Sequence, residues 1–161
     1  MRKKRHQARI LALQGLYQLD IQQLPRDTDI TELLESLITE APANQKAMDY
    51  AKRLTAGTWR DCDHFDRMIA GVSDHWEVSR MAVVDRNILR LALYELTAQP
   101  DVPPRVVIDE AIEIGREFGA AETPQFINGV LDAIWKQHPD FQSFRSTSNS
   151  ATETPDNKTE A

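Results

Sequence analysis

Residues 123–135, TPQFINGVLDAIW, decide the fold because two structural signals conflict within them. Asn128 and Gly129 form a dipeptide typical of a two-residue β-hairpin turn. The surrounding apolar residues nevertheless recur at helical spacing, and neither flank shows the alternation that a hairpin strand requires. The segment is therefore predicted to be a helix, with Thr123 as its N-cap and Pro124 in its first turn.

A glycine inside that helix needs a structural or functional reason. Gly destabilises a helix interior by about 1 kcal/mol relative to Ala. Gly129 therefore predicts close approach by a neighbouring helix or by the backbone of a ligand. Asn128 would lie near that contact and would need a hydrogen-bond partner if it were buried.

Helical periodicity continues through the rest of the chain and predicts an all-α fold of about seven helices. The first helix is expected over residues 4–22, followed by a short amphipathic helix at residues 30–38. Residues 44–71 are expected to form one long helix or two, with Gly57 as the weakest point. Residues 83–99 are apolar almost all round, which is typical of a buried central helix.

The C-terminal half is expected to add a helix opened by Pro104, and then a tail. The predicted core face of that helix comprises Ile108, Ala111, Ile112, Gly115 and Phe118. Residues 140–161 are rich in Ser, Thr and Glu and have little to bury, so they are predicted to be a disordered acidic tail. One domain is expected over residues 1–139.

Composition favours a single helical domain in a reducing compartment. The chain has 161 residues, of which 41% are hydrophobic and 27% charged. Its single cysteine, Cys62, excludes an intramolecular disulfide framework. No stretch approaches the length of a membrane span, so no membrane association and a cytoplasmic location are expected.

Charge is distributed unevenly along the chain. The formal net charge is −6, but residues 1–9 contain no acidic side chain. Their basic side chains are Arg2, Lys3, Lys4, Arg5 and Arg9. Because salt confines charge effects to roughly 8 Å, an anionic ligand at this end would respond to the local cluster more than to the total charge.

Sequence signatures of catalysis are absent. The chain has no glycine-rich phosphate loop, nucleophile elbow or paired zinc-ligand motif, so a non-enzymatic protein without a cofactor is predicted. Residues 60–66, RDCDHFD, are the one dense cluster of metal-ligand types. Cys62 and His64 point apart on a helix, which favours a solvated face with Cys62 in the core rather than a metal site.

Four segments carry patterns more specific than periodicity: ARILALQGLYQLD (8–20), VVDRNILRLALYEL (83–96), DVPPRVVIDEAIEIGREFG (101–119) and QFINGVLDAI (125–134). In this order they closely resemble the NusB family of transcription antitermination factors. The resemblance covers roughly residues 4–137 and implies two small packed helical bundles.

The resemblance also implies partners. Members of the family bind single-stranded boxA RNA of ribosomal RNA leaders together with NusE, a small-subunit ribosomal protein, and act in the RNA polymerase antitermination complex. The alternative is a helical protein-interaction adaptor in ribosome assembly whose RNA affinity is incidental. The sequence leaves a homodimer open, because an exposed partner surface can also serve self-association.

By resemblance, the RNA-binding residues lie at both ends of the sequence. The arginine-rich segment falls on Arg5, His6 and Arg9, with Lys3 and Lys4 as helpers that neutralise phosphates. The FxNG segment of the family falls on Phe126, Asn128 and Gly129, and Phe126 would stack on a base near the basic end. Packing in the core is the alternative role for Phe126.

The implied partner-binding surface comprises Tyr17, Asp85 and Arg86. Two readings are open for Arg86 and the nearby Arg90. They would either extend that surface or tie the two bundles together through ion pairs with carboxylates.

Overall fold

The computed structural model describes residues 2–38, 44–73 and 77–138, and within these ranges all regular structure is helical. The seven α-helices are α1 (Arg2–Gln22), α2 (Thr31–Ser36), α3 (Gln45–Arg60), α4 (Cys62–Val72), α5 (Val83–Ala98), α6 (Pro104–Phe118) and α7 (Thr123–Gln137). A 3₁₀ turn, Val78–Arg80, precedes α5. The predicted all-α fold is confirmed, and the predicted tail at 140–161 lies outside the described residues.

The helices form two small bundles that share one hydrophobic core. Helices α1 to α3 form the first bundle and α4 to α7 the second, while α5 packs against α1 and α3 as well as against the helices of its own bundle. Every residue from Asn87 to Leu96 is buried, as predicted for a central helix. No helix in the described ranges is long and apolar enough to cross a membrane.

The segment with conflicting signals is a helix. Its buried face is formed by Ile127, Leu131 and Ile134, which confirms that helical spacing outweighs the Asn-Gly signal. Thr123 is not the N-cap, because α7 already begins at that residue. Its buried hydroxyl instead accepts a hydrogen bond from the Ala120 N–H and donates one to Asp85, each at 2.9 Å.

The break between α3 and α4 falls at Asp61, so the prediction that Gly57 is the weak point is wrong. Gly57 is buried beneath the aromatic ring of Tyr94. A Cβ atom at Gly57 would lie 2.2 Å from that ring, so the glycine permits close packing of α5 on α3.

The buried face of α6 overlaps the predicted one. Four of the five predicted core residues are buried or partly buried against the core: Ile108, Ala111, Ile112 and Gly115. Placing Phe118 in the core was wrong, because it is 38% exposed. Val107 and Ile114, which the predicted face did not include, are buried as well.

Candidate nucleic-acid interface

The basic start of α1 lies beside the C-terminal end of α5. Lys4 is exposed, and Arg5 Nη2 lies 3.4 Å from Asp101 Oδ2 in the connection between α5 and α6. The Arg5 guanidinium also lies over the ring of Tyr50, 5.2 Å from its centroid. The side chain of Lys3 lies outside the described part of the structure. This end therefore presents accessible positive charge.

Arg9 is buried, unlike Arg5. Its Nε and Nη2 atoms donate to the two carboxylate oxygens of Glu95 at 2.6 and 2.9 Å, and the Tyr50 hydroxyl donates to the same carboxylate at 3.0 Å. Burial acts to lower the pKa of Arg9, but the hydrogen bond and charge of Glu95 outweigh it and hold that pKa above its ordinary value. Arg9 thus holds α1 against α5, and its predicted contact with RNA phosphate does not fit this placement.

His6 faces two carboxylates of α6. Its Nδ1 lies 2.7 Å from Glu110 Oε2, and its Nε2 lies 3.7 Å from Glu117 Oε2. Arg9 Nη1 approaches the same Glu110 oxygen at 3.6 Å. His6 therefore lies next to the cationic end of the molecule but within an acidic local environment.

Phe126 lies at a surface pocket near the N-terminal end of α5. The pocket has a volume of about 370 Å³ and is lined by Arg80, Met81, Ala82, Asp85, Ala120, Glu122, Thr123 and Phe126. The Phe126 side chain is half-buried and packs against the core while it lines this pocket. Its geometry is compatible with both roles considered for it, packing and base stacking.

The exposed Asn128-Gly129 step has no packing explanation within the described residues. A Cβ atom at Gly129 would meet nothing within 4 Å, so the predicted approach of a neighbouring helix is wrong. Asn128 is also exposed. The other explanation for the glycine, close approach by a ligand backbone, stays a prediction.

The cationic end and the Phe126 pocket lie at opposite ends of α5. The pocket is built around Asp85, whereas Arg9 contacts Glu95, ten residues and about 15 Å further along the helix axis. Arg5 lies beyond that, next to Asp101. The expectation that Arg5 and Arg9 form one compact platform with Phe126 is therefore corrected: the two regions are separated by most of the length of a helix.

A buried ionic network ties the bundles together near the pocket. Asp20 of α1 accepts two hydrogen bonds from Arg86 at 2.7 Å, one from Asn87 at 2.8 Å and one from Arg90 at 2.9 Å. Arg90 also makes a bidentate contact with Asp66 of α4, at 2.7 and 2.8 Å. The reading in which Arg86 and Arg90 tie the bundles together is confirmed.

These contacts keep Asp20 ionised despite its burial. Burial alone would raise its pKa, but hydrogen bonds from Arg86 and Asn87 and the charges of Arg90 and Arg86 outweigh it, so the pKa lies below its ordinary value. A buried carboxylate that satisfies several donors is a structural connection and leaves little of these side chains for a ligand.

The residues of the implied partner surface differ in accessibility. Tyr17 is 37% exposed, and Ile21, one helical turn further along α1, is 52% exposed. Asp85 accepts the Thr123 hydroxyl, and Arg86 is engaged by Asp20. The exposed apolar pair on α1 is thus the most accessible part of this surface.

The cluster at residues 60–66 does not gather metal ligands. No group of three His, Cys, Asp or Glu side chains able to hold a metal ion occurs in the described ranges. Cys62 is fully buried in the core, as expected, and burial raises the pKa of its thiol to about 11.

One cationic feature was missed by sequence reasoning. A surface cleft of about 320 Å³ lies between the start of α1, α3 and the connection from α5 to α6, and α3 contributes Lys46, Tyr50 and Arg53 to it. These three residues follow i, i+4, i+7 spacing, which places them on one face of a helix. That spacing is the signal in the sequence from which the cationic face of α3 could have been predicted.

Comparison with known proteins identifies related chains. The NusB family profile matches residues 6–136. A protein from Symbiobacterium thermophilum, named transcription antitermination protein NusB, is 40% identical over 134 residues, which cover 81% of this chain and 88% of that protein.

Solved structures give the same family. A structure of T. maritima NusB superposes with a TM-score of 0.74 at 36% identity, covering 83% of this chain and 92% of that one. A structure of antitermination factors NusB and NusE in complex with double-stranded RNA superposes with a TM-score of 0.73 at 29% identity, covering 86% of this chain and all of that one.

Proposed function

Because the chain belongs to the NusB family, we propose that it is a transcription antitermination factor that binds boxA-type single-stranded RNA of ribosomal RNA leaders together with NusE. In this role it modulates termination by RNA polymerase as part of the antitermination complex. The related structure of NusB and NusE with RNA supports both partners, although the RNA in that structure is double-stranded.

The observation that carries the proposal is the chemical difference between the two ends of α5. Lys4 and Arg5 supply positive charge at one end, and the half-buried ring of Phe126 lines an open pocket at the other. Single-stranded RNA is commonly bound by such a combination of phosphate neutralisation and aromatic stacking. The strand would run along the molecule from one end to the other.

Each residue implied to bind RNA then has a specific role in the complex. Lys3, Lys4 and Arg5 neutralise phosphates, with His6 beside them, while Phe126 stacks on a base. Asn128 is exposed one turn into α7, where its amide can hydrogen-bond to RNA, and Gly129 permits the strand to approach closely. Arg9 acts as a positioning residue that fixes the first helix through Glu95.

The distance between the two ends sets a minimum RNA length. The ends are roughly 20 Å apart along α5. At roughly 3.4 Å per nucleotide, a strand whose bases stay stacked needs about six nucleotides to contact both. A stacked strand shorter than this can use one end only.

The test is a titration of the full chain with labelled boxA-type RNA, with and without NusE, at several salt concentrations. About three phosphate contacts predict a log-log salt slope of roughly −2 or steeper. Shortening the RNA until it no longer spans both ends, at about six nucleotides for a stacked strand, should weaken binding abruptly rather than gradually. Salt-independent binding, or tighter binding of a duplex of the same sequence, would contradict the proposal.

A second candidate function is favoured by the exposed apolar pair on α1. Tyr17 and Ile21 are large hydrophobic side chains at the surface and are suited to a protein partner. A protein-interaction adaptor with incidental RNA affinity would use this pair and Asp85 without needing the cationic end. Full capture of NusE in the absence of RNA, lost in Tyr17→Asp, together with no measurable RNA binding, would favour this function.

The same apolar pair is also available for self-association. Sedimentation of the full chain over a range of concentrations distinguishes a homodimer from a monomer that binds NusE. A dimer that Tyr17→Asp dissociates would assign the surface to a second copy.

A further inference from the structure

We infer that the cleft on α3 is a second phosphate-binding region for RNA, in which Lys46 and Arg53 extend the cationic end formed by Lys4 and Arg5. This inference rests on the proposed function, because it takes single-stranded RNA as the ligand. It adds residues that lie outside the arginine-rich segment and far from it in sequence.

The shape of the cleft suits a strand of nucleic acid. Its volume is about 320 Å³, and it is open to solvent and lined by the start of α1, by α3 and by the connection from α5 to α6. Lys46 and Arg53 are exposed along it. A phosphodiester placed in the cleft would meet basic side chains from two different helices.

Positive charge predominates in the cleft. Lys4, Arg5, Lys46 and Arg53 line it, against Asp49 and Asp101. Two acidic side chains offset only part of the charge of four basic ones, and Asp101 lies at a long 3.4 Å from Arg5. The cleft is thus a local cationic site on a chain whose formal net charge is −6.

Tyr50 orders the two guanidinium groups. Arg5 and Arg53 both lie over its ring, at 5.2 and 6.0 Å from the centroid, within the range of cation–π attraction. The hydroxyl of Tyr50 is anchored to Glu95 at 3.0 Å. Only 8% of Tyr50 is exposed, so it acts as a positioning residue rather than a stacking surface for a base.

Ordered guanidinium groups are well suited to phosphate. Arginine binds phosphate through paired N–H donors, and a group already held in position loses less entropy on binding. Two further phosphate contacts would steepen the salt slope by about 1.4 beyond that expected from the N-terminal residues alone. The RNA would continue from α1 onto α3 instead of ending at the N-terminus.

The test compares two double variants of the full chain that remove the same charge. The cleft variant, Lys46→Ala with Arg53→Ala, removes the two basic side chains that α3 contributes to the cleft. The control variant, Arg60→Ala with Arg67→Ala, removes two exposed basic side chains from the C-terminal end of α3 and from α4. Binding of a labelled boxA-type RNA is measured by fluorescence anisotropy across a salt series. The cleft variant should bind roughly tenfold or more weakly at 0.1 M salt, with a slope shallower by about 1.4, and the control should resemble the wild type.

A charge change of opposite sign sharpens the test. Asp101→Asn removes an acidic group from the lining of the cleft and should tighten RNA binding severalfold. Equal weakening in both double variants, or an unchanged salt slope in the cleft variant, would overturn the inference while leaving the proposed function in place. If a polyaspartate peptide competes for the cleft as well as RNA does, the cleft is a general polyanion site and the inference is overturned. If the wild type binds no RNA at all, the proposed function is overturned as well.

Discussion

At the N-terminal end of α5, Arg86 and Arg90 are held by the buried carboxylate of Asp20, whereas at the C-terminal end Arg5 and Arg53 lie at the surface over Tyr50. Arginine side chains therefore serve two different purposes in this molecule. A guanidinium fully matched by carboxylates joins helices, and one matched only in part is available to a ligand. Basic residues counted along a sequence do not separate the two uses.

The largest effect should come from breaking the N-terminal network. Asp20→Ala leaves Arg86 and Arg90 without their shared carboxylate in a buried site, and we expect the free energy of unfolding to fall by about 3 to 5 kcal/mol. Urea denaturation measures this loss. Asp63→Ala, which removes an exposed carboxylate paired with Arg26, is the matched control and should change stability little. Similar losses in both variants would mean that the network is not a structural connection.

Because the pKa of Asp20 is lowered in the folded protein, the loss of stability in a variant without this carboxylate should depend on pH. The contribution of its ionised form to stability is fully present above the unfolded-state pKa, near 4, and is lost as pH falls through the lower folded-state value. Asp20→Asn should therefore differ most from the wild type at neutral pH and least in strong acid. A constant difference across pH would argue against an ionised Asp20.

The next largest effect should distinguish Arg9 from Arg5, which were both predicted to contact RNA phosphate. Arg9→Gln removes the charge and the bidentate contact with Glu95, and should lower the free energy of unfolding by about 3 kcal/mol with no change in the RNA salt slope. Arg5→Ala should leave stability nearly unchanged and make that slope shallower by about 0.7. Denaturation and salt titration of both variants give the comparison. A shallower slope for Arg9→Gln would restore Arg9 as a direct contact.

RNA affinity at the pocket near the N-terminal end of α5 should fall when the aromatic ring of Phe126 is removed. Phe126→Leu keeps apolar volume against the core but removes the ring, so RNA affinity should fall by about 1 to 3 kcal/mol while the salt slope stays unchanged. Phe118→Leu is the matched control because its ring is exposed at the end of α6. Unaltered RNA affinity in Phe126→Leu would assign Phe126 to packing alone.

The smallest effect has opposite signs for stability and binding. Gly129→Ala places a methyl group in open space within a helix and should raise the free energy of unfolding by about 1 kcal/mol, while weakening RNA binding if the strand approaches there. Gly71→Ala, also in open space within α4, should stabilise the protein without affecting RNA. Improved stability with unchanged binding in both variants would remove Gly129 from the RNA path.

Periodicity predicted the helices well because burial alone creates it. The all-round apolar pattern of α5 and the stripe of α7 were read correctly, since both reflect contact with a continuous core. The break at Asp61 was missed because Gly57 has a packing reason that depends on Tyr94, which lies far along the sequence. A glycine that admits a distant ring and one that weakens a helix look alike in sequence.

The candidate site was harder to predict because its partners are remote in sequence. Nothing near Arg9 indicates that Glu95, 86 positions away, neutralises it. The separation of Phe126 from Arg5 likewise depends on the direction in which α1 packs along α5. Spacing on a single helix was informative for Lys46 and Arg53, but their cleft also needs the start of α1.

The burial of Cys62 makes the wild-type chain a ready background for thiol chemistry. It is the sole cysteine in the sequence, its sulfur lies in the core, and its pKa of about 11 keeps it protonated and unreactive at neutral pH. Cysteines introduced together at the exposed Ala98 and Ala121, which lie outside the proposed RNA contacts, would then be the two sites that take a fluorophore or spin label. The distance between the two ends of α5, and any change when RNA spans them, can thus be measured without first removing a native thiol.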